Sequence, residues 1–104
     1  IKSALADRRE WGRVFESAVG AYIVSQAFEH RYDVYYWRDG NDEVDYIIRK
    51  RDRIAAIEVK SNSERYNKGL GRFTEMFHPV SSLVVGEGGM KPEEFLSHCP
   101  MELL

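Results

Sequence analysis

Two apolar segments joined by a short polar turn decide the fold of this chain. They occupy residues 43–60, which read EVDYIIRKRDRIAAIEVK. Branched and aromatic residues on both sides of the polar turn favour extended structure, so the pattern predicts an antiparallel hairpin. Each segment carries an acid near one end, Asp45 in the first and Glu58 in the second. Antiparallel pairing is expected to bring these two ends together.

The length of the turn decides whether the two acids share a face of the sheet. Alternation along a strand places Glu58 and Lys60 on one face. A two-residue turn at Arg51-Asp52 sets Asp45 opposite Glu58, and a four-residue turn sets it opposite Lys60. A three-residue turn would send Asp45 to the other face. A shared site therefore requires an even turn or a bulge.

The rest of the chain predicts helices before and after this hairpin. Apolar residues recur at three- and four-residue spacing in a first segment and again in a second one that ends before Pro79. The predicted elements are a helix over 4–30, strands over 34–38, 43–50 and 54–60, a helix over 69–77, a strand over 82–85 and a helical turn from Pro92. This order, αβββαβ, predicts an α/β fold with a mixed central sheet flanked by helices.

Composition limits the class of protein. A chain of 104 residues supports one domain, and 15 basic against 17 acidic residues leave a net charge of -2, so any site for a polyanion must be local. The one cysteine, Cys99, excludes an internal disulfide and a cysteine-rich zinc site, which fits a cytoplasmic protein. No apolar run approaches the roughly 20 residues of a membrane span. The start at Ile1 leads us to expect a fragment of a longer protein.

Two carboxylates facing each other across paired strands repel unless a cation lies between them. Carboxylate oxygens suit magnesium or manganese, so the hairpin predicts a divalent metal site at Asp45 and Glu58. Lys60 would then orient or deprotonate an attacking water, or stabilise negative charge that develops during the reaction. The alternative is an ordinary salt-bridged cluster of Asp45, Glu58 and Lys60 at the end of a sheet.

These residues resemble the PD-(D/E)xK nuclease superfamily, with Glu16 as the helical acid, then Asp45, then Glu58-Val59-Lys60. Val44 stands where the superfamily often has Pro. More narrowly, several blocks resemble the C-terminal domain that follows an AAA-type ATPase module in many prokaryotic proteins. The blocks are Gly12-Arg13-Val14-Phe15-Glu16, Val34-Tyr35-Tyr36-Trp37-Arg38, Glu43-Val44-Asp45-Tyr46, Ile57-Glu58-Val59-Lys60-Ser61 and Lys68-Gly69-Leu70-Gly71-Arg72-Phe73.

The resemblance implies a restriction-endonuclease-like core that cleaves DNA phosphodiesters with Mg²⁺ or Mn²⁺. It implies that Glu16, Asp45 and Glu58 are the metal ligands and that Lys60 is catalytic beside them. It also implies an N-terminal ATPase domain in the same full-length chain. No phosphate-binding glycine-rich loop occurs within these 104 residues, so we expect no nucleotide site here.

Four cations are candidates to contact nucleic-acid phosphates around the acids. They are Arg13, Arg38, Lys68 and Arg72. Three consecutive aromatic residues, Tyr35, Tyr36 and Trp37, can stack on bases or pack in the core, and packing is the commoner use of aromatics in strands.

Two non-catalytic functions remain open from the sequence. The first is an accessory module of an ATPase that binds nucleic acid or a partner protein. The second is a structural domain that forms a homodimer, for which an exposed apolar face on the last strand or at 101–104 would be the sign.

Overall fold

A computed structural model describes the backbone of residues 8–60 and 68–104 and the side chains of residues 16–60 and 68–104. The helices are α1 (Arg8–His30), α2 (Gly69–Phe77) and α3 (Pro92–Phe95), followed by a 3-10 turn at Pro100–Leu103. The strands are β1 (Asp33–Asp39), β2 (Asp42–Lys50), β3 (Arg53–Lys60) and β4 (Ser81–Gly86). Every predicted element within the described ranges is present, and α2 has the predicted bounds. The predicted helix start over 4–7 and the polar stretch 61–67 lie outside the described residues.

The four strands form one mixed sheet in the order β1-β2-β3-β4. The first three are antiparallel neighbours, and β4 lies parallel to β3 after the crossover through α2. The β2–β3 turn has two residues, because Lys50 pairs with Arg53, and Arg51 adopts a φ of 60° within it. The turn is therefore even, as a shared face for Asp45 and Glu58 requires. The structure therefore confirms the predicted mixed α/β class.

Each face of the sheet has its own hydrophobic core. On the first face, α1 and the C-terminal segment cover the sheet, with Val19, Ile23, Ile48, Ile57, Val85 and Phe95 among the buried residues. On the second face, α2 covers a smaller cluster of Val44, Ile47, Ala56 and Phe73. Met101, Leu103 and Leu104 pack against the first core instead of forming an exposed apolar face. None of the helices in the described ranges is long and apolar enough to cross a membrane.

A glycine lets α1 approach the sheet closely. The hydroxyl of Tyr46 on β2 lies where a Cβ at Gly20 would stand. Gly20 therefore permits α1 to pack closely on the sheet.

A β-bulge interrupts the pairing of β1 with β2. Tyr35 pairs with Ile47 but Trp37 pairs with Val44, so two residues of β2, Asp45 and Tyr46, oppose the single residue Tyr36. A bulge bends its strand and redirects the side chains within it. It therefore lies at one of the predicted metal-binding residues.

Candidate functional site

The hairpin brings Asp45 and Glu58 together as the two-residue turn requires. Pairing of β2 with β3 runs from Lys50↔Arg53 to Tyr46↔Ile57, and the next positions in this register are Asp45 and Glu58. Beyond the last backbone pair, Asp45 Oδ2 accepts a hydrogen bond from Val59 N at 2.8 Å. The Asp45 carboxylate therefore replaces a backbone acceptor at the end of the ladder, which fixes its position beside β3.

Glu58 is buried although it carries an ionisable group, with only 9% of its surface exposed. Burial, a side-chain hydrogen bond with Asp45 and the charge of Asp45 raise the pKa of Glu58 to about 9. The backbone N–H of Asp45 opposes this shift by donating to the Glu58 carboxylate. Two carboxyl groups that share a small, dry space favour a single negative charge between them. Burial and the contact with Asp45 therefore favour the protonated form of Glu58.

Glu58 and Lys60 lie on the second face of the sheet, as the alternation predicts. Ile57 and Val59 pack in the first core, and Ala56 packs in the second. Lys60 is half-buried near the end of β3, where its carbonyl accepts from Glu87 N at 3.0 Å. The structure therefore places an acid and a lysine on one face, two residues apart, next to the second acid.

Glu16 does not form a cluster with Asp45 and Glu58 that is close enough to hold a metal ion. It lies exposed on α1, the helix that covers the first face, and its charge contributes to the raised pKa of Tyr46 after burial and Asp45. Within the described residues, no three His, Cys, Asp or Glu side chains gather closely enough to hold a metal ion. The role of Glu16 as a metal ligand stays a prediction.

Glu43 is a further acid near the pair, and the sequence analysis did not identify it as a candidate site residue. Tyr36 donates a hydrogen bond to Glu43 Oε2 at 2.6 Å, across the β1–β2 hairpin. The charge of Glu43 also contributes to the raised pKa of Glu58, behind the larger effects of burial and Asp45. Glu43 stands two residues before Asp45, and this spacing was the available signal. A third carboxylate therefore contributes negative potential at the pair.

The predicted phosphate-binding cations have different surroundings. Arg38 and Lys68 are exposed, and Arg38 Nε donates to Gly40 O at 3.0 Å. Arg72 bridges two acids of the β1–β2 hairpin, Asp39 at 2.7 Å and Asp42 at 2.9 Å, so its charge is offset. The side chain of Arg13 lies outside the described residues. Phosphate contacts by these residues stay predictions.

The acid pair has the chemistry of a divalent-cation site. Its donors are hard carboxylate oxygens, which Mg²⁺ and Mn²⁺ prefer, and Mg²⁺ typically uses only one or two of them in proteins. A divalent cation between the two carboxyl groups would favour their ionised forms and would displace a proton from the pair. The residues present therefore fit a divalent ion held by Asp45 and Glu58.

Comparisons with known proteins give one result for the chain. No curated protein and no solved structure matches it. A family model described as a domain of unknown function, DUF4143, matches residues 11–103, and this domain is found in ATPase-associated proteins. The match includes the hairpin, the acid pair, α2, α3 and all of α1 after its first three residues. The chain therefore belongs to the DUF4143 family.

Proposed function

We propose that this domain hydrolyses phosphodiester bonds in DNA with the help of Mg²⁺ or Mn²⁺. The observation that carries the proposal is the pairing of Asp45 with buried Glu58 at the end of a hairpin, with Lys60 on the same face as Glu58. The element order αβββαβ and the placement of the acids on β2 and β3 support a restriction-endonuclease-like core.

Each residue of the candidate site has its own role in this proposal. A divalent ion, when bound, supplies positive charge that offsets the charge of the phosphate during cleavage. Asp45 and Glu58 would hold that ion, and the bond from Val59 N keeps the Asp45 carboxylate oriented before it binds. Lys60 orients the attacking water or stabilises negative charge on the phosphate. Glu16 is proposed as an assisting acid from α1.

The partners follow from the same proposal. DNA is the proposed substrate, with Arg13, Arg38, Lys68 and Arg72 contacting its phosphates. We also propose that an ATPase domain in the full-length cytoplasmic protein lies N-terminal to this one, which accords with the presence of the family in ATPase-associated proteins.

Calorimetric titration of the chain with Mg²⁺ and Mn²⁺ tests the metal site. We expect uptake at one site that is lost when Asp45→Asn and Glu58→Gln are combined. The matched control combines Glu93→Gln and Glu94→Gln, which remove two acids from the exposed surface of α3. Circular dichroism would verify that each variant is folded.

Cleavage assays then separate metal binding from catalysis. Lys60→Ala should keep metal uptake and lose Mg²⁺-dependent cleavage of plasmid and branched DNA, because the lysine acts on water or phosphate and not on the ion. If the wild-type chain takes up no metal, with or without DNA, the catalytic proposal is refuted. The non-catalytic accessory module would then be the better account.

A further inference from the structure

The turn that joins β2 to β3 is strongly basic and lies at the opposite end of the hairpin from the acid pair. Residues 49–53 read RKRDR, which is four basic residues and one acid in a chain whose net charge is -2. The pairing of β2 with β3 begins at Lys50↔Arg53 and reaches the acid pair five residues later, which is about 17 Å along a strand. The turn is therefore a surface separate from the candidate site.

The end of α1 brings a further cation to this turn. Lys50 is half-buried and donates from Nζ to the carbonyl oxygen of His30 at 2.9 Å, so the last residue of α1 is tied to the hairpin. Arg31 follows His30 directly and is exposed. We define the basic cluster as the three exposed arginines around Lys50, which are Arg31, Arg51 and Arg53.

The charges of the basic cluster are available to a ligand. Within the described part of the chain, none of its three arginines forms an ion pair or a side-chain hydrogen bond. Arg49 differs from them, because it pairs with Asp33 at 3.6 Å and its guanidinium covers the ring of Tyr35. Asp52 is the one acid within residues 49–53, so positive charge is in excess around the turn.

The backbone gives an independent reason to single out two of these arginines. Arg31 has a φ of 58° and Arg51 a φ of 60°, which lie in the left-handed region that favours glycine over any residue with a Cβ. Among the described residues, His78 is the one other non-glycine residue with a positive φ. Backbone strain of this kind concentrates at functional sites. Arginine at both strained positions therefore points to a use for the two side chains.

We propose that the basic cluster binds the phosphate backbone of DNA, at a surface separate from the acid pair. Guanidinium groups present planar N–H donors that match phosphate oxygens, and exposed cations release counterions when they contact a nucleic acid. The inference rests on the proposed function for the identity of the nucleic acid. Because contacts to phosphate carry no direct sequence information, the cluster anchors DNA of any sequence.

Fluorescence anisotropy with labelled duplexes at several salt concentrations tests the proposal, with a chelator present to prevent cleavage. The test variant combines Arg31→Gly, Arg51→Gly and Arg53→Gln. It should bind two duplexes of unrelated sequence more weakly and to the same extent. The slope of log affinity against log salt concentration should fall by about 3, or about 1 for each phosphate contact removed. Lys91→Gln is the control, because it removes an exposed cation beside α3 and should leave the slope unchanged.

Thermal unfolding separates loss of binding from loss of folding. Glycine relieves the backbone at residues 31 and 51, so the double variant Arg31→Gly, Arg51→Gly should unfold at or above the wild-type temperature while binding DNA more weakly. An unchanged affinity and salt slope in the folded triple variant would overturn the proposal. Labelled polyglutamate that binds as tightly as DNA, and loses affinity in the same variant, would assign the cluster to an acidic protein and also overturn it.

Failure of the proposed function has a different signature. Combining Asp45→Asn with Glu58→Gln should abolish metal uptake and leave the DNA binding that depends on the basic cluster intact. A wild-type chain that binds duplexes through this cluster but takes up no metal would refute catalysis and retain the cluster as a DNA site. A wild-type chain that binds no DNA would overturn the inference even if metal uptake were observed.

Discussion

Replacing Glu58 with glutamine should change how the stability of the domain depends on pH. The pKa of Glu58 is raised from the ordinary value of 4.5 to about 9 by burial and by its contact with Asp45. Between these two pH values the folded chain holds a proton that the unfolded chain has lost. The free energy of unfolding therefore falls as pH rises through this window, and the contribution of Glu58 is complete only below the lower value.

The size of the effect follows from proton linkage. One proton bound by the folded state alone changes the free energy of unfolding by at most about 1.4 kcal/mol per pH unit. From about pH 5.5 to about pH 7.5 the loss is therefore up to about 2.7 kcal/mol, a large part of the usual stability of a small domain. Glutamine resembles the protonated acid in shape and can donate to Asp45, but it releases no proton. Glu58→Gln should remove this slope and should be more stable than wild type at the higher pH.

Urea unfolding at several pH values in that range, with a chelator present, measures the difference. Glu75→Gln is the control, because Glu75 is an exposed acid on α2. Its profile should run parallel to that of the wild type, and only Glu58→Gln should diverge. Parallel profiles for wild type and Glu58→Gln would refute the conclusion that Glu58 retains its proton beside Asp45.

Three further substitutions test the packing that positions the site. Gly20→Ala should destabilise the chain by about 1–3 kcal/mol, because its methyl group would meet the Tyr46 hydroxyl, and Tyr46→Phe should restore part of the loss in thermal or urea unfolding. Gly69→Ala should destabilise the chain at least as strongly, because its methyl group would meet the backbone of Glu43. No side-chain change should rescue this loss. A urea midpoint equal to that of wild type would contradict the close approach of α2 to β2. Tyr32→Phe should cost about 1 kcal/mol in urea unfolding, since the buried hydroxyl donates to a carbonyl of α1 at 2.6 Å, and a neutral result would argue against that bond.

The sequence left the register of the central hairpin open among turns of two, three and four residues. Alternation along the strands requires an even turn if both acids are to share a face, and the observed turn, Arg51-Asp52, has two residues. The same reasoning predicted that Ile57 and Val59 would point away from Glu58, and both pack in the first core. Strong alternation in β3 thus fixed the positions of Glu58 and Lys60.

The bulge in β2 was not predictable from alternation. Regular alternation would place Val44 and Tyr46 on one face, whereas Val44 shares the second core with Ile47. In Tyr46-Ile47-Ile48, the residues that point to each face of the sheet are all apolar. The sequence therefore does not show where the bulge interrupts the alternation of side chains. Only the pairing with Tyr36 on β1 reveals it.

The exposure of Tyr36 was also not predictable from the sequence, because it depends on the strand order. A run of aromatics in a strand is usually buried, and Trp37 follows that rule. β1 is an edge strand, with β2 as its neighbour on one side in the four-stranded sheet. The helices cover the central strands more fully than this edge. Sequence patterns predict where the strands lie and which of their residues are suited to burial. They do not predict which strand lies at the edge of the sheet.

The environment of Glu58 bears on the two interpretations of the acid pair that the sequence left open. In an ordinary salt-bridged cluster, the dominant influence on a buried glutamate would be a cation, and its pKa would fall. The largest influences on Glu58 are burial and Asp45, and both raise its pKa. A second carboxylate is held against it by a backbone hydrogen bond from Val59, beside a bulge that breaks the regular strand. Departures from local regularity of this kind are typical of functional sites, and this supports the proposal that Asp45 and Glu58 form one.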